Sequence, residues 1–386
     1  MSEIIITGWP AIFLAFVSSL VITWFYIPKV IKVVYKKHLA DKPGNRKIHK
    51  RTTPTLGGIG IFAGFIFGFL IGVNGYMHSV SYFMAAVMIL FFVGLKDDLI
   101  GMNPWKKFGA EVATALIITL CTDLHFTSFH GFLGMDAVPA WLSILTTVFI
   151  IVLVINAVNL IDGIDGLASA VGIIASLFFG TWFFLSGDYG YTVMAAALLG
   201  SLIVFIFYNV SNGRMKIFMG DTGSIVIGFT LVIMAIRFNE LDAMGRSFHN
   251  LVSTPSVSIA VLIVPLFDTL RVIYLRFKNH QNVFRADNRH VHHLMLRMGF
   301  SHKRATLYMS LFNIFIIALA LLLDGIGIFW LGVVLLVICW MTTTILIHLI
   351  RKKEKKAQMS IVAAECSGPN LTLIRAPEEA TLQQAQ

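Results

Sequence analysis

The sequence predicts an all-α, polytopic integral membrane protein of about eleven transmembrane helices. Three observations lead there. The composition is 57% hydrophobic with only 13% charged residues, against about 25% charged in soluble domains, and the mean hydropathy is +0.81. Apolar runs long enough to cross a bilayer, which takes about 20 residues as helix, recur along the chain. Charge is distributed very unevenly between alternate loops.

The spans expected in order are 9–28, 56–75, 79–95, 107–123, 141–160, 168–186, 191–208, 222–239, 256–275, 306–324 and 328–349. Alternate connections hold all but two of the 30 Lys and Arg residues; only Arg237 and Arg246 fall on the other side. Basic residues stay on the cytoplasmic side, so the N-terminus is expected outside and the C-terminus in the cytoplasm. The same asymmetry explains the net charge of +10 without nucleic acid as a partner. Residues 1–350 read as one transmembrane unit. Residues 351–386 read as a tail that starts with a basic juxtamembrane run, Arg351-Lys-Lys-Glu-Lys-Lys356, and then turns polar and disordered. The N-terminal run lacks the basic flank and cleavage site of a signal peptide. Cys121, Cys339 and Cys366 have no paired spacing, which points to neither a disulfide framework nor a zinc site.

Polar residues interrupt this pattern on the predicted cytoplasmic side. Asn156-Ala-Val-Asn159-Leu-Ile-Asp162-Gly-Ile-Asp165-Gly166 closes the fifth span. Such polar density at a membrane boundary is expensive unless it binds something or faces water. If helical, Asn159, Asp162 and Asp165 share a face; a tight inter-helix turn is the plainer reading. Lys96-Asp97-Asp98 ends the third span. Paired carboxylates suit Mg²⁺, which binds one or two of them plus substrate phosphates, although a solvated helix end also accommodates them. Gly220-Asp221-Thr222-Gly223-Ser224 opens the eighth span, where helix-start amides hold anions and Asp221 offers a metal ligand; an ordinary N-cap competes. Arg285-Ala-Asp-Asn-Arg289-His290-Val-His292-His293 combines arginine forks with imidazoles, which suits phosphate or diphosphate. Zinc ligation and a solvated basic loop are the rival readings. Lys107 and Glu111, at i,i+4, read as a simple helix pair, and Asp268 with Arg271 as a self-neutralising or catalytic pair. On the opposite side, Asp123, Asp136, Asp188, Glu240 and Asp242 read as isolated, and His125, His130 and His249 receive no role.

Carboxylates, amides, arginines and histidines on one membrane face point to phosphate chemistry. Phosphoryl transfer needs positioning and charge neutralisation more than covalent machinery. A secondary transporter is the reading from another class, but transporters place polar sites near the midplane and often carry repeats. No repeat is evident here. A non-catalytic lipid-binding scaffold would not need Asp97, Asp98 and Asp221 together.

These motifs, with Phe218-Met-Gly-Asp221-Thr-Gly-Ser224, resemble in order and over nearly the whole chain the signatures of the polyprenyl-phosphate N-acetylhexosamine-1-phosphate transferases, glycosyltransferase family 4. The resemblance implies transfer of a sugar 1-phosphate from a UDP-sugar to undecaprenyl phosphate, with release of UMP and Mg²⁺ or Mn²⁺ as cofactor. It implies a bacterial plasma-membrane enzyme that initiates cell-envelope polysaccharide, and it leaves a homodimer open. It also assigns roles: Asp221 and Asn159 to the metal, Asp97 and Asp98 to the essential acidic pair, and Asp162, Asp165, Asn209 and Phe218 to the nucleotide. Arg285, Arg289, His290, His292 and His293 would hold the sugar diphosphate, and Lys47 the lipid phosphate, with Asp41 a weaker match. Val291 interrupts the histidine run and Leu294-Met295 follows it, which is similar to the branch using UDP-GlcNAc. Thr53-Pro54-Thr55-Leu-Gly57-Gly58 is closer to the phospho-MurNAc-pentapeptide translocases, which stand as the alternative.

Overall fold

The computed structural model describes residues 2–37, 54–73, 75–131, 137–281 and 289–366. Every regular element among them is helical: α1 (Ser2–Lys36), α2 (Gly57–Gly72), α3 (Val80–Ile100), α4 (Pro104–Cys121), α5 (Ala140–Ile161), α6 (Leu167–Leu185), α7 (Tyr189–Asn209), α8 (Gly220–Ala243), α9 (Thr254–Val261), α10 (Ile263–Lys278), α11 (Val291–Met298), α12 (His302–Leu322) and α13 (Ile328–Cys366). The chain is a multi-pass membrane protein. Seven of these helices are long and apolar enough to cross a bilayer, or eight if the bent pair α9–α10 is one span. Each expected span lies on a helix. Three of them, α2, α3 and α4, fall short of that standard: α2 has 16 residues, and α3 and α4 carry the charged residues of the polar motifs.

Helix α8 is the axis of the bundle. The apolar window of α8 is 94% buried, against 22% for those of α1 and α13. It packs on α5, α3, α2, α6 and α9. Its sequence explains the position, since it is apolar around its whole circumference, as buried helices are. Between membrane helices lipid supplies no hydrophobic drive, so close backbone approach carries the association. Gly94 of α3 shows how close: a Cβ there would lie 2.6 Å from Thr222 Cα. On the far flank α2 lays Gly60, Gly64, Gly68 and Gly72 against α1.

The ninth expected span is not one straight helix. It bends by 86° between α9 and α10. Pro265 sits in the first turn of α10, and its ring would clash with the carbonyl four residues back in a continuous helix. The carbonyls released at the bend are recaptured from α12, where the Asn313 amide donates to Ala260 O and Val261 O, both at 3.2 Å. Such recapture is required in a medium without water.

The acids at the C-terminal end of α8 are not isolated, which corrects the sequence reading. Glu240 is fully buried and accepts from Thr127 N at 2.9 Å and Thr127 Oγ1 at 2.7 Å. Asp242 accepts from Thr254 Oγ1 at 2.7 Å and faces His130 Nδ1 at 3.4 Å. These contacts tie the α4–α5 connection to α8. They are long-range in sequence, so local spacing could not reveal them. At the other terminus α13 continues as helix past residue 350, through the basic run, to Cys366.

Gly94→Leu is expected to lower the detergent-phase melting temperature, because overpacking of a tight interface costs about 1–3 kcal/mol. An unchanged melt would show that α3 and α8 do not approach at this position.

Candidate active site

The polar motifs meet where α3 and α5 end and α8 begins. The extended segment before α2 pairs with the one before α8: Phe218 N–H donates to Pro54 O at 2.7 Å, Gly57 N–H to Phe218 O at 2.9 Å, and Gly58 N–H to Met219 O at 2.8 Å. Gly220 then adopts φ +73, and a Cβ there would meet Thr55 O and both Asp98 oxygens. Only glycine tolerates that conformation without strain. Helix α8 has no side-chain cap of its own at Met219. Asp98 supplies the cap from α3. Its Oδ1 accepts from Asp221 N at 2.8 Å, and its Oδ2 from Thr222 N at 2.9 Å and Thr222 Oγ1 at 2.5 Å. A carboxylate at a helix N-terminus satisfies orphan amides and complements the dipole. Asp98 lies beyond the apolar part of α3. Burial pushes its carboxyl up to about 6, while the donors on Thr222 and Asp221 pull it back down.

Asp97 turns the other way. Its Oδ1 accepts from Met102 N at 2.7 Å, and its Oδ2 faces Lys107 Nζ at 3.2 Å. The same ammonium pairs with Asp221 Oδ2. Asp221 Oδ1 accepts from Asn159 Nδ2 at 3.0 Å, and that amide also reaches Ser224 Oγ at 2.8 Å. Lys107 was expected to pair along its own helix with Glu111. It instead neutralises two site carboxylates, while Glu111 takes the Asn156 amide. Glu111 is buried, and its Oε1 has no hydrogen-bond partner among the described residues. Lys107, Glu111 and Asn156 are among the site residues that received no role from the sequence. For Lys107 and Glu111 the signal was polarity inside an apolar run, but i,i+4 spacing offered a sufficient local explanation; Asn156 stood in the polar stretch without a role of its own.

Asn159, Asp162 and Asp165 do not share one helical face. Helix α5 ends at Ile161, Asp162 is its C-cap, and a turn runs to Gly166. Asn159 therefore faces Asp221, whereas Asp165 Oδ2 pairs with Lys216 Nζ at 2.5 Å and lies 3.5 Å from His302 Nδ1. Lys216 Nζ stands 5.2 Å over the Phe218 ring, which brings two residues expected at the nucleotide, Asp165 and Phe218, to one place. Asp162 is half-buried and its carboxylate has no hydrogen-bond partner among the described residues. Burial, followed by the charges of Asp221, Asp98 and Asp165, raises its carboxyl well above the usual range. The Asn209 amide serves the backbone, accepting from Gly166 N at 2.5 Å and donating to Ile217 O at 2.8 Å. It locks the 156–166 turn to the segment that leads into α8.

The histidine segment docks on this turn. A Cβ on Gly163 would lie 2.5 Å from His292 Nε2. Asp268 of α10 accepts from Val291 N at 2.8 Å and faces His290 Nδ1 at 3.1 Å. The rings of His292 and His293 are 4.2 Å apart. His292 is 1% exposed; burial above all, then the neighbouring His293, lowers its imidazole to about 3. Arg289 pairs with Gln281 Oε1, and its carbonyl accepts from Arg271 Nη1 at 2.8 Å. Lys47 and Arg285, with Asp41, lie outside the described residues. Among the described residues no three Asp, Glu, His or Cys side chains converge as a ready-made metal cage.

His292 yields a signed pH prediction. Its folded value lies below the ordinary one of about 6.5. Unfolded chains therefore bind the extra proton, and its contribution falls by about 1.4 kcal/mol per pH unit as pH drops below that value. Melting temperature should fall more steeply from pH 7.5 to 5.5 in the parent protein than in His292→Gln. Parallel curves would contradict a buried neutral imidazole.

Comparison with known proteins agrees with the motifs. Residues 80–239 match the family model described as glycosyl transferase family 4, a region that includes Asp97, Asp98, Asn159 and Asp221. The chain is 28% identical over 315 residues to the undecaprenyl-phosphate alpha-N-acetylglucosaminyl 1-phosphate transferase of Salmonella typhi, covering 81% of this chain and 82% of that protein. It is 27% identical over 283 residues to the protein of the same name from Yersinia pestis, covering 72% and 75%. A probable undecaprenyl-phosphate N-acetylglucosaminyl 1-phosphate transferase of Bacillus subtilis is 29% identical over 330 residues, covering 79% and 89%. The resemblance to this transferase family, read first from four short motifs, extends over most of the chain.

Proposed function

We propose that the protein transfers a sugar 1-phosphate, GlcNAc-1-phosphate in our reading, from a UDP-sugar to undecaprenyl phosphate and releases UMP. The observation that carries this reading is the meeting of Asp97, Asp98, Asn159, Asp162 and Asp221 from three distant segments at one end of the bundle. The names of the relatives support the lipid acceptor and the transferred GlcNAc-1-phosphate group. The location we propose is a bacterial plasma membrane, crossed eleven times, with the site on the cytoplasmic face.

The chemistry follows from this inventory. An oxygen of the lipid phosphate attacks the β-phosphorus of the UDP-sugar, the bond from that phosphorus to the bridging oxygen breaks, and UMP leaves with the electron pair. Both reactants are anionic, so the site must lower their mutual repulsion. Lys107, held between Asp97 and Asp221, already neutralises part of their charge, which supports a site built around cations. Asp162 adds a carboxylate that has no hydrogen-bond partner among the described residues and feels the charges of Asp221 and Asp98. This donor set fits Mg²⁺ or Mn²⁺: Asp221 and Asn159 would hold the ion, and substrate phosphates and water would complete its shell. Bound there, the ion would neutralise diphosphate charge. Asp98 keeps α8 in place, Asp97 accepts the proton of the lipid phosphate, and Phe218 with Asp165 faces the nucleoside. An apolar cavity of about 470 Å³ lies toward the C-terminal end of α8, between α5, α8, α9 and α13, lined by Phe126, Val154, Asn239, Ile259, Phe329 and Leu336, and offers space only to a distal part of a polyprenyl chain.

Purified protein with undecaprenyl phosphate should release UMP from UDP-GlcNAc. Asp221→Asn should cut the rate by about a hundredfold or more while leaving the protein folded, and excess chelator should stop turnover. Turnover only with UDP-MurNAc-pentapeptide would move the protein to the translocase branch. Undiminished turnover in chelator would refute the metal assignment. Substrate movement across the membrane without UMP release would favour a transporter.

A further inference from the structure

Helix α11 carries His292 and His293 and follows directly on His290, yet it is only eight residues long. Isolated helices shorter than about 12–15 residues are marginal, so its position must come from its contacts. At its N-terminus Asp268 receives the Val291 amide. At its C-terminus Gly299 turns left-handed with φ +101. There the Lys353 ammonium from α13 donates to Met298 O at 2.7 Å. An anion at the first turn and a cation at the last both complement the helix dipole. Arg297 Nη2 then pairs with Glu354 Oε1 at 2.8 Å.

The face of α13 that does this is legible in its spacing. Leu346, Ile350, Lys353 and Glu354 fall at i, i+4, i+7 and i+8, one continuous stripe. Ile350 is 3% exposed, and Leu346 lines an apolar cavity together with Val291 and Met295. Apolar contact at Leu346 and Ile350 thus passes into polar contact at Lys353 and Glu354 along a single helix. We propose that the extension of α13 beyond the bilayer is a brace in which Lys353 and Glu354 are positioning residues. They fix α11 and hence the placement of the histidines. The consequence for turnover rests on the reading above that those histidines hold the sugar diphosphate; the structural claim does not.

The full-length protein in detergent tests both. Lys353→Glu is expected to raise the KM for the UDP-sugar about fivefold with kcat within about twofold, and Lys353→Arg to retain the parent value. Lys355→Glu, which points away from the stripe, is the control. Arg297→Glu and Glu354→Arg should each raise KM, and the double swap should recover it, which a general loss of stability would not do. Amide hydrogen exchange over residues 291–299 should quicken about fivefold in Lys353→Glu and stay unchanged in Lys355→Glu. Parent-like KM and exchange in Lys353→Glu would overturn the brace. If the parent protein transfers no sugar phosphate from any donor, the proposed function fails and the exchange measurement alone decides the brace.

Discussion

The structure depends on one carboxylate. Asp98 closes the exposed amide end of α8 from a different helix, and α8 is the element on which the bundle packs. Two consequences follow. The cap fixes where α8 begins, so Asp221 in its first turn has a defined direction. It also consumes Asp98 in structure, which leaves its neighbour Asp97 to face Lys107 and Asp221. Adjacent residues of one type thus acquire different work from the surfaces they meet.

Charge balance then decides the chemistry. Four carboxylates, those of Asp97, Asp98, Asp162 and Asp221, lie within electrostatic reach at the edge of a low-dielectric bundle. Buried charge is tolerated only when paired or hydrogen-bonded. Helix amides serve one, Lys107 serves two, and Asp162 remains with a raised affinity for protons. A site in this state favours the arrival of positive charge.

Much of this was legible in the sequence because hydrocarbon makes polar residues conspicuous. Asn159, Asp162, Asp165 and Asp221 stood out against apolar surroundings, and the structure brings their segments together. The eleven apolar runs all fall on helices. What escaped was whatever had an adequate local explanation or depended on contacts distant in sequence. Lys107 and Glu111 satisfied an i,i+4 rule and went elsewhere. The run 256–275 read as one span because apolar content does not report Pro265 or the Asn313 amide that heals the bend. Glu240 and Asp242 looked solitary because Thr127 and His130, which they face, lie more than a hundred residues away, and Thr254 belongs to the next helix. The C-terminal run read as a membrane anchor, and only its register against α11 gives it a second task.

Backbone amide exchange at Asp221 and Thr222 tests the central claim most directly, because it needs neither substrate nor metal. In the parent protein both amides should be protected by Asp98. In Asp98→Asn, where one acceptor becomes a donor facing Thr222, they should exchange about tenfold faster or more, with the interior of α8 from Gly228 to Ile236 unchanged. Equal exchange in the two proteins would mean that Asp98 does not cap α8, and the account of how Asp221 is placed would fall with it.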